Sequence, residues 1–187
     1  MANKHRNHWL RHPNTLTLGR LAASPLIVLL MMFPNRWCTF MAGILFAVAA
    51  ITDFFDGFLA RSRGMVSNFG KIMDPLADKV LVSSAFIMLA ALGWVPAWMV
   101  CVIIGRELAV TGLRNFVVED GQDVSSSSLG KYKTGFQIAA IIPLLIHYNS
   151  LGIDFHAIGS LFLWGALVLT VWSGADYFYR YRELLKF

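Results

Sequence analysis

The stretch that decides the fold is DFFDGFLARSRGMVSNFGKIMDPLAD, residues 53–78, which sets acids within otherwise apolar sequence. Asp53 and Asp56 are three residues apart, and Asp74 and Asp78 are four residues apart. Either spacing puts two side chains on one face of an α-helix. The stretch therefore predicts two helices, each of which carries a pair of carboxylates.

These acids favour a metal site. Ionised carboxylates are costly in a bilayer, and four converging acids would also repel one another. Two Mg²⁺ or Mn²⁺ ions would balance the four charges, and such ions prefer hard oxygen ligands. We therefore expect a two-metal site of the kind that serves phosphoryl transfer. The alternative is a set of buried acids paired with neighbouring cations, namely Arg61, Arg63, Lys71 and Lys79.

The same stretch resembles the signature of the CDP-alcohol phosphotransferase family, D-x2-D-G-x2-A-R-x8-G-x3-D-x3-D. Every fixed position of that signature is present: Asp53, Asp56, Gly57, Ala60, Arg61, Gly70, Asp74 and Asp78. The resemblance implies that the four aspartates hold two metal ions on the donor pyrophosphate. It also implies that Asp53, Gly57, Ala60 and Arg61 contact the CDP-linked donor, and that Asp78 is a candidate general base.

Composition predicts an integral membrane protein. Of 187 residues, 57% are hydrophobic, and the apolar runs reach membrane-spanning length. A length of this order favours a single domain, which we place at residues 14–187 after a polar segment at 1–13. Nucleic-acid binding is not indicated, because no basic run is interleaved with exposed aromatic residues.

Six transmembrane helices are predicted, with bounds near 14–33, 37–61, 70–92, 95–118, 130–146 and 156–179. Lys and Arg collect on one side of this arrangement, so both termini and the acid site should face the cytoplasm of a bacterial inner membrane. Residues 1–13 could form a short interfacial helix. Its three histidines, His5, His8 and His12, have a spacing that could bind a metal, although a solvated interfacial face explains them as well.

Four further cations suggest a second anion besides the donor pyrophosphate. Arg106, Arg114, Lys131 and Lys133 fall near the same membrane face as the acids. Arginine grips phosphate through paired hydrogen bonds, and Glu107 could orient one of these cations. We therefore predict a phosphorylated acceptor. The alternative is that these side chains are snorkelling helix ends that obey the positive-inside rule.

The resemblance can be narrowed within the family. The segments Asn14–Thr17 with Arg20, GRELAVTGLR and GKYKT are similar to bacterial members that transfer a phosphatidyl group from CDP-diacylglycerol to sn-glycerol 3-phosphate. Asn14, Thr17 and Arg20 would then line the nucleotide or lipid entrance, although helix packing explains Asn14 and Thr17 equally. The resemblance also implies a homodimer.

Two alternatives remain open at this point. The chemistry could be the same with another acceptor, namely phosphatidylglycerol, an inositol phosphate or serine. A different class, a cation channel or transporter, could use the acids as its ion site. Such sites rarely need Gly57, Ala60 and Arg61 at fixed offsets, so the enzyme is favoured.

Overall fold

The structure is a computed structural model, and it describes residues 13–63, 68–119, 128–148 and 152–182. Within those ranges, the side chains of residues 13–16, 53–63, 68–72, 74, 75, 118, 119, 128, 129 and 131 are left out of the description. The proposed interfacial helix, the N-terminal histidines and most of the polar segment that contains them lie outside the described residues.

Six α-helices and no strand make up the described part of the chain. They are α1 (Pro13–Met31), α2 (Arg36–Arg63), α3 (Asn68–Ala91), α4 (Ala97–Glu119), α5 (Ser128–Ile146) and α6 (Phe155–Arg180). The predicted all-α class is therefore confirmed, and each helix end lies within two residues of its predicted place. Pro13 begins α1, whereas the sequence prediction placed it in the preceding segment; proline is well suited to a first helical turn.

Local sequence accounts for the helix ends. Asn35 caps α2, since its Oδ1 accepts hydrogen bonds from the backbone N–H groups of Trp37 and Cys38 at 3.1 and 3.0 Å. Asp154 caps α6 in the same manner, with its Oδ1 accepting from Ala157 N at 3.0 Å. At the end of α3, Gly93 adopts a φ of 72°, a left-handed conformation that glycine takes without strain.

The chain forms two compact units, residues 1–85 and 86–187, so that α3 runs from one into the other. In the first unit, α1 packs against α2. The packing surface of α1 is a stripe at four-residue spacing, Ala23, Ile27 and Met31, all buried. On α2, Ala42 and Phe46 are fully buried at the same spacing.

In the second unit, α6 packs against both α4 and α5. Two glycines of α6 permit its close approach to α5. A Cβ at Gly159 would lie 2.6 Å from Leu144 Cγ, and one at Gly165 would lie 2.7 Å from the Phe136 ring. These contacts also fix the register, because Leu144 lies opposite Gly159 and Phe136 lies opposite Gly165. The two helices are therefore antiparallel.

The register of α4 against α6 is parallel. The rings of Trp98 and Trp164 meet edge to face at 6.0 Å, and further along both helices Arg106 contacts Ser173. Since α5 runs the opposite way, the end of α4, the start of α5 and the end of α6 lie at the same end of this unit. Any polar side chains on these three segments are brought to one level.

Among the described residues, one helix, α6, is long and apolar enough to cross a membrane. Shorter apolar helical segments occupy Thr17–Met31, Arg36–Thr52 and Tyr132–Ile146. One side of α6 presents large apolar residues outward, with Leu161 73% and Trp172 66% exposed. A surface of this kind suits hydrocarbon better than water. The number of transmembrane spans stays a prediction.

Candidate functional site

The acid stretch is helical at each of its four aspartates. Asp53 and Asp56 lie within α2, and Asp74 and Asp78 lie within α3. The three- and four-residue spacings therefore act as helical spacings, and each pair of positions shares a helix face. Gly57, Ala60 and Arg61, the positions that the family resemblance links to the donor, also lie in α2.

Of the four aspartates, Asp78 has a described side chain, which is half-buried on α3. The other three carboxylates, with Gly57, Ala60 and Arg61, lie outside the described side chains. Within the described set, no three His, Cys, Asp or Glu residues come together at metal-binding distance. That set leaves out three of the acids, so the predicted two-metal site stays a prediction.

The residues predicted at the entrance lie on α1. Thr17 and Arg20 are buried, with 1% and 6% of their surface exposed. Ser24 donates a hydrogen bond from its hydroxyl to the Arg20 carbonyl at 3.2 Å, one turn further along the helix. The side chain of Asn14 lies outside the description. Burial of a charged arginine in an apolar unit is unusual, because charged groups are rarely fully buried.

A second polar region occurs inside the second unit. Lys133, on α5, is 5% exposed, and its Nζ donates a hydrogen bond to Glu107 Oε1 on α4. The same Glu107 oxygen lies 3.6 Å from Arg106 Nη1. Arg106 reaches α6 as well, where its Nη2 donates to Ser173 Oγ at 2.9 Å. We call these four residues the basic cluster.

The basic cluster brings together two of the four cations predicted to bind an acceptor phosphate. Arg106 and Lys133 belong to it, and they share the Glu107 carboxylate. Arg114 lies two turns further along α4, where it is exposed, and the side chain of Lys131 is not described. Eight residues of helix separate Arg106 from Arg114 by about 12 Å. Arg114 thus lies nearer the end of this unit than the cluster does.

Three polar residues, Ser173 of the cluster and two close to it, were not predicted from the sequence. Gln137, Thr170 and Ser173 are 3%, 0% and 3% exposed. The α5–α6 register puts Thr170 level with Lys133, and Gln137 one turn deeper. Local sequence could have indicated them. Gln137 follows Lys133 by four residues, which places both on one helix face. Thr170 and Ser173 are polar residues at helical spacing in an apolar helix.

Some polar groups in this region have hydrogen-bonding capacity that the described residues do not use. Arg106 Nε, Gln137 Nε2 and Thr170 Oγ1 are buried without a hydrogen-bond partner among the described residues. Buried polar groups are nearly always paired, and an unpaired one points to a ligand or ordered water. The region therefore has the positive charge and spare donors that an anionic, hydroxyl-bearing ligand requires.

The other end of the second unit is aromatic. Trp94 stacks on His147 with ring centroids 3.7 Å apart, and Tyr148 and His156 meet the His147 ring edge to face. Burial lowers the pKa of His147 below its ordinary 6.5, the nearby His156 lowers it further, and Asp154 raises it. Trp94 and Tyr148 lie at the end of this unit opposite the basic cluster.

The chain is similar to a known protein family and to named bacterial relatives. A model of the CDP-alcohol phosphatidyltransferase family matches residues 10–172. A relative from Bacillus subtilis (strain 168) is 43% identical over 186 residues, covering 93% of this chain and 96% of its own. One from Escherichia coli (strain K12) is 38% identical over 169 residues, covering 88% and 91%.

A third relative, from Rickettsia typhi, is 39% identical over 167 residues, covering 89% of this chain and 94% of its own. All three are named CDP-diacylglycerol--glycerol-3-phosphate 3-phosphatidyltransferase. The matched segment includes the whole acid stretch and, from the basic cluster, Arg106, Glu107 and Lys133. On the strength of a family match over most of its length and relatives this similar, the chain belongs to the CDP-alcohol phosphatidyltransferase family.

Proposed function

We propose that this protein transfers the phosphatidyl group of CDP-diacylglycerol to sn-glycerol 3-phosphate, which yields phosphatidylglycerol phosphate and CMP. The observation that carries the proposal is the similarity, over 88–93% of the chain, to relatives named for this activity. The complete acid signature in α2 and α3 supports the same reaction. The basic cluster supports an acceptor that carries a phosphate.

Two divalent cations, Mg²⁺ or Mn²⁺, would be held by Asp53, Asp56, Asp74 and Asp78. The donor set fits these ions, since it consists of four carboxylates, and hard cations prefer oxygen ligands. When bound, the ions would neutralise the donor pyrophosphate and stabilise the CMP that leaves.

The chain's own residues divide the remaining work. Gly57, Ala60 and Arg61 of α2 would contact the nucleotide of the donor. Asp78 of α3 is the candidate general base for the acceptor hydroxyl. As that hydroxyl loses its proton, its oxygen forms a bond to the β-phosphorus of the donor. The bond between this phosphorus and the bridging oxygen breaks, and CMP departs with that oxygen.

The acceptor phosphate would bind at the basic cluster. Arg106 and Lys133 share one carboxylate, that of Glu107, so the cluster keeps a net positive charge. Inside an apolar unit that charge is poorly screened, and an anion would be attracted strongly. Arg114 and Lys131, close to the end of the same unit, would guide the acceptor towards the cluster. Serine brings no phosphate and would leave the cluster without a partner.

The protein would work in the bacterial inner membrane as a multi-pass homodimer, with its active site and both termini on the cytoplasmic side. The outward apolar side of α6 supports contact with lipid. The positive-inside rule supports the orientation, because Lys and Arg collect on one side of the predicted spans. CDP-diacylglycerol would then keep its acyl chains in the bilayer while a soluble acceptor arrives from the cytoplasm.

Release of CMP by the purified protein tests the proposal. The protein in detergent would receive CDP-diacylglycerol and Mg²⁺, with sn-glycerol 3-phosphate, inositol phosphate, serine and phosphatidylglycerol offered separately. We expect CMP with sn-glycerol 3-phosphate alone. Release with a different acceptor would overturn the acceptor and keep the reaction class. A folded protein that releases no CMP with any acceptor would contradict the enzyme and favour the transport alternative.

A further inference from the structure

The guanidinium of Arg106 is held by α6, a helix distant in sequence. Arg106 Nη2 donates to Ser173 Oγ at 2.9 Å across 67 residues of chain. The neighbouring residue on α6 is Gly174, and a Cβ added there would lie 3.0 Å from Arg106 Cγ and 3.4 Å from Nε. The arginine side chain therefore lies across the bare backbone of Gly174, with its end on Ser173.

Ser173 is itself fixed in the orientation that receives the arginine. Its hydroxyl donates to the Thr170 carbonyl at 3.2 Å, one turn earlier on α6. A serine hydroxyl has one hydrogen to donate and two lone pairs, so the lone pairs stay available to accept from Arg106. Ser173 is 3% exposed, and water therefore competes little for this bond.

These contacts involve the two Nη atoms of the guanidinium and not its Nε. Nη2 is bonded to Ser173, and Nη1 lies 3.6 Å from Glu107 Oε1. Nε is buried and has no hydrogen-bond partner within the described part of the chain. Because Gly174 carries no side chain, Arg106 can pack directly against the backbone of α6. A buried, charged donor without a partner among the described residues is suited to a phosphate oxygen.

We propose that Ser173 and Gly174 are positioning residues for Arg106. Ser173 fixes the end of the guanidinium, and Gly174 lets the arginine side chain lie against α6, so that Arg106 presents Nε to the phosphate of the acceptor. This inference rests on the proposed function. It adds residues that lie beyond residue 172, where the match to the family model ends.

Steady-state kinetics of three variants test this role. In Ser173→Ala the guanidinium loses its acceptor, and we expect the KM for sn-glycerol 3-phosphate to rise about tenfold, the usual effect of one hydrogen bond to a charged group. Ser173→Thr keeps the hydroxyl and should restore most of the affinity. Gly174→Ala should raise the same KM, since its methyl group would displace the arginine. The KM for CDP-diacylglycerol should stay unchanged in all three.

Two matched controls make the same substitutions where no contact with Arg106 exists. Ser160→Ala lies on α6, about 20 Å along the helix from Ser173. Gly135→Ala lies on α5, where a Cβ would meet nothing within 4 Å. Both should keep the wild-type KM values. A general weakening of the fold would move both substrates and kcat together, whereas loss of positioning moves the KM of the acceptor.

A binding measurement separates this inference from the proposed function. Inorganic phosphate should raise the Tm of the wild-type protein, and the rise should shrink in Ser173→Ala, Gly174→Ala and Arg106→Ala. If Arg106→Ala loses the phosphate effect and the acceptor affinity while Ser173→Ala and Gly174→Ala keep both, the positioning role is wrong and the function stands. If the wild-type protein releases no CMP with sn-glycerol 3-phosphate, the function is wrong, and the phosphate-dependent Tm alone decides the positioning role. Should Ser173→Ala fail to fold, Gly174→Ala gives the same decision.

Discussion

The acid stretch and the basic cluster differ in how the chain builds them. The acids come from 26 consecutive residues on α2 and α3, and their spacing alone states their arrangement. The basic cluster comes from three helices, and its bond between Arg106 and Ser173 joins residues 67 positions apart. A site made of neighbours in sequence can be read as a motif. A site made by packing depends on the register of helices, which no local pattern encodes.

The largest effect should come from the acids. Asp56→Asn or Asp74→Asn removes a proposed metal ligand, and turnover should fall by more than about 100-fold, since loss of even an outer-shell partner costs 10–100-fold. CMP release at saturating substrate measures this fall. Asp154→Asn is the control, because asparagine also caps a helix and the residue lies at the start of α6. Full turnover in either acid variant would contradict the proposed metal site.

Glu107→Gln tests whether the basic cluster is held by its carboxylate. Lys133 is 5% exposed, and breaking a buried ion pair on one side is strongly destabilising, so the free energy of unfolding should fall by about 3 kcal/mol. Phosphate should recover part of this loss, because it would replace the missing anion. Chemical unfolding in detergent, with and without phosphate, measures both effects.

The control for this variant is Asp176→Asn, which breaks the exposed pair between Asp176 and Arg180. An exposed pair is worth under about 1 kcal/mol. Equal losses in Glu107→Gln and Asp176→Asn would mean that the cluster is not a buried electrostatic unit, and its contrast with an ordinary surface pair would disappear.

Gln137→Met should separate stability from binding. The buried amide has an Nε2 donor without a partner in the described structure, so its replacement by an apolar side chain should stabilise the free protein by about 1 kcal/mol. If the amide serves the acceptor, the KM for sn-glycerol 3-phosphate should rise a few-fold at the same time. Thermal unfolding and kinetics measure the two effects. A more stable variant with unchanged KM would show that Gln137 takes no part in binding the acceptor.

The smallest effect should come from the aromatic end of the second unit. The folded protein holds the pKa of His147 below 6.5, so the unfolded chain binds more protons as the pH falls below 6.5. The free energy of unfolding should therefore decrease from pH 6.5 downward, until the pH reaches the folded pKa. His147→Asn should keep the fold, because asparagine tolerates the positive φ of 55° at this position. The variant should reduce the slope of stability against pH and leave the KM values unchanged. An identical slope in wild type and variant would assign the titration elsewhere.

Much of the fold was predictable because its signals are local. Pro34 and Asn35 separate α1 from α2, and Gly93 ends α3, and these are residues whose backbone chemistry stops or starts helices. Apolar runs set the helix lengths. The pairing of α6 with both α4 and α5 was not predictable in the same way, since it depends on Gly159 and Gly165 accepting the side chains of α5.

The candidate site also has residues that could be predicted from local sequence and residues that depend on helix packing. Arg106 and Lys133 were identified from charge in apolar sequence, and Glu107 was expected to orient a cation; in the structure its carboxylate contacts both. Arg114 was grouped with them because it falls near the same predicted membrane face, but it lies two helical turns beyond Arg106 and therefore at a different depth. Ser173 and Thr170 were not predicted as site residues, because a hydroxyl in an apolar helix usually forms a hydrogen bond with the backbone of its own helix.

The bond between Arg106 and Ser173 also has a consequence for how the protein is made. Chains emerge from the ribosome with the N-terminal part first, so the acid stretch is synthesised and can enter the membrane long before residue 173 exists. Arg106 and Lys133 are also synthesised before α6, and Ser173 and Gly174 are absent until α6 has been made. A nascent or shortened chain that ends before α6 is complete therefore carries every acid of the signature but lacks the serine that Arg106 contacts. Under the proposed function, the newly made protein would bind the acceptor with full affinity only once α6 is complete.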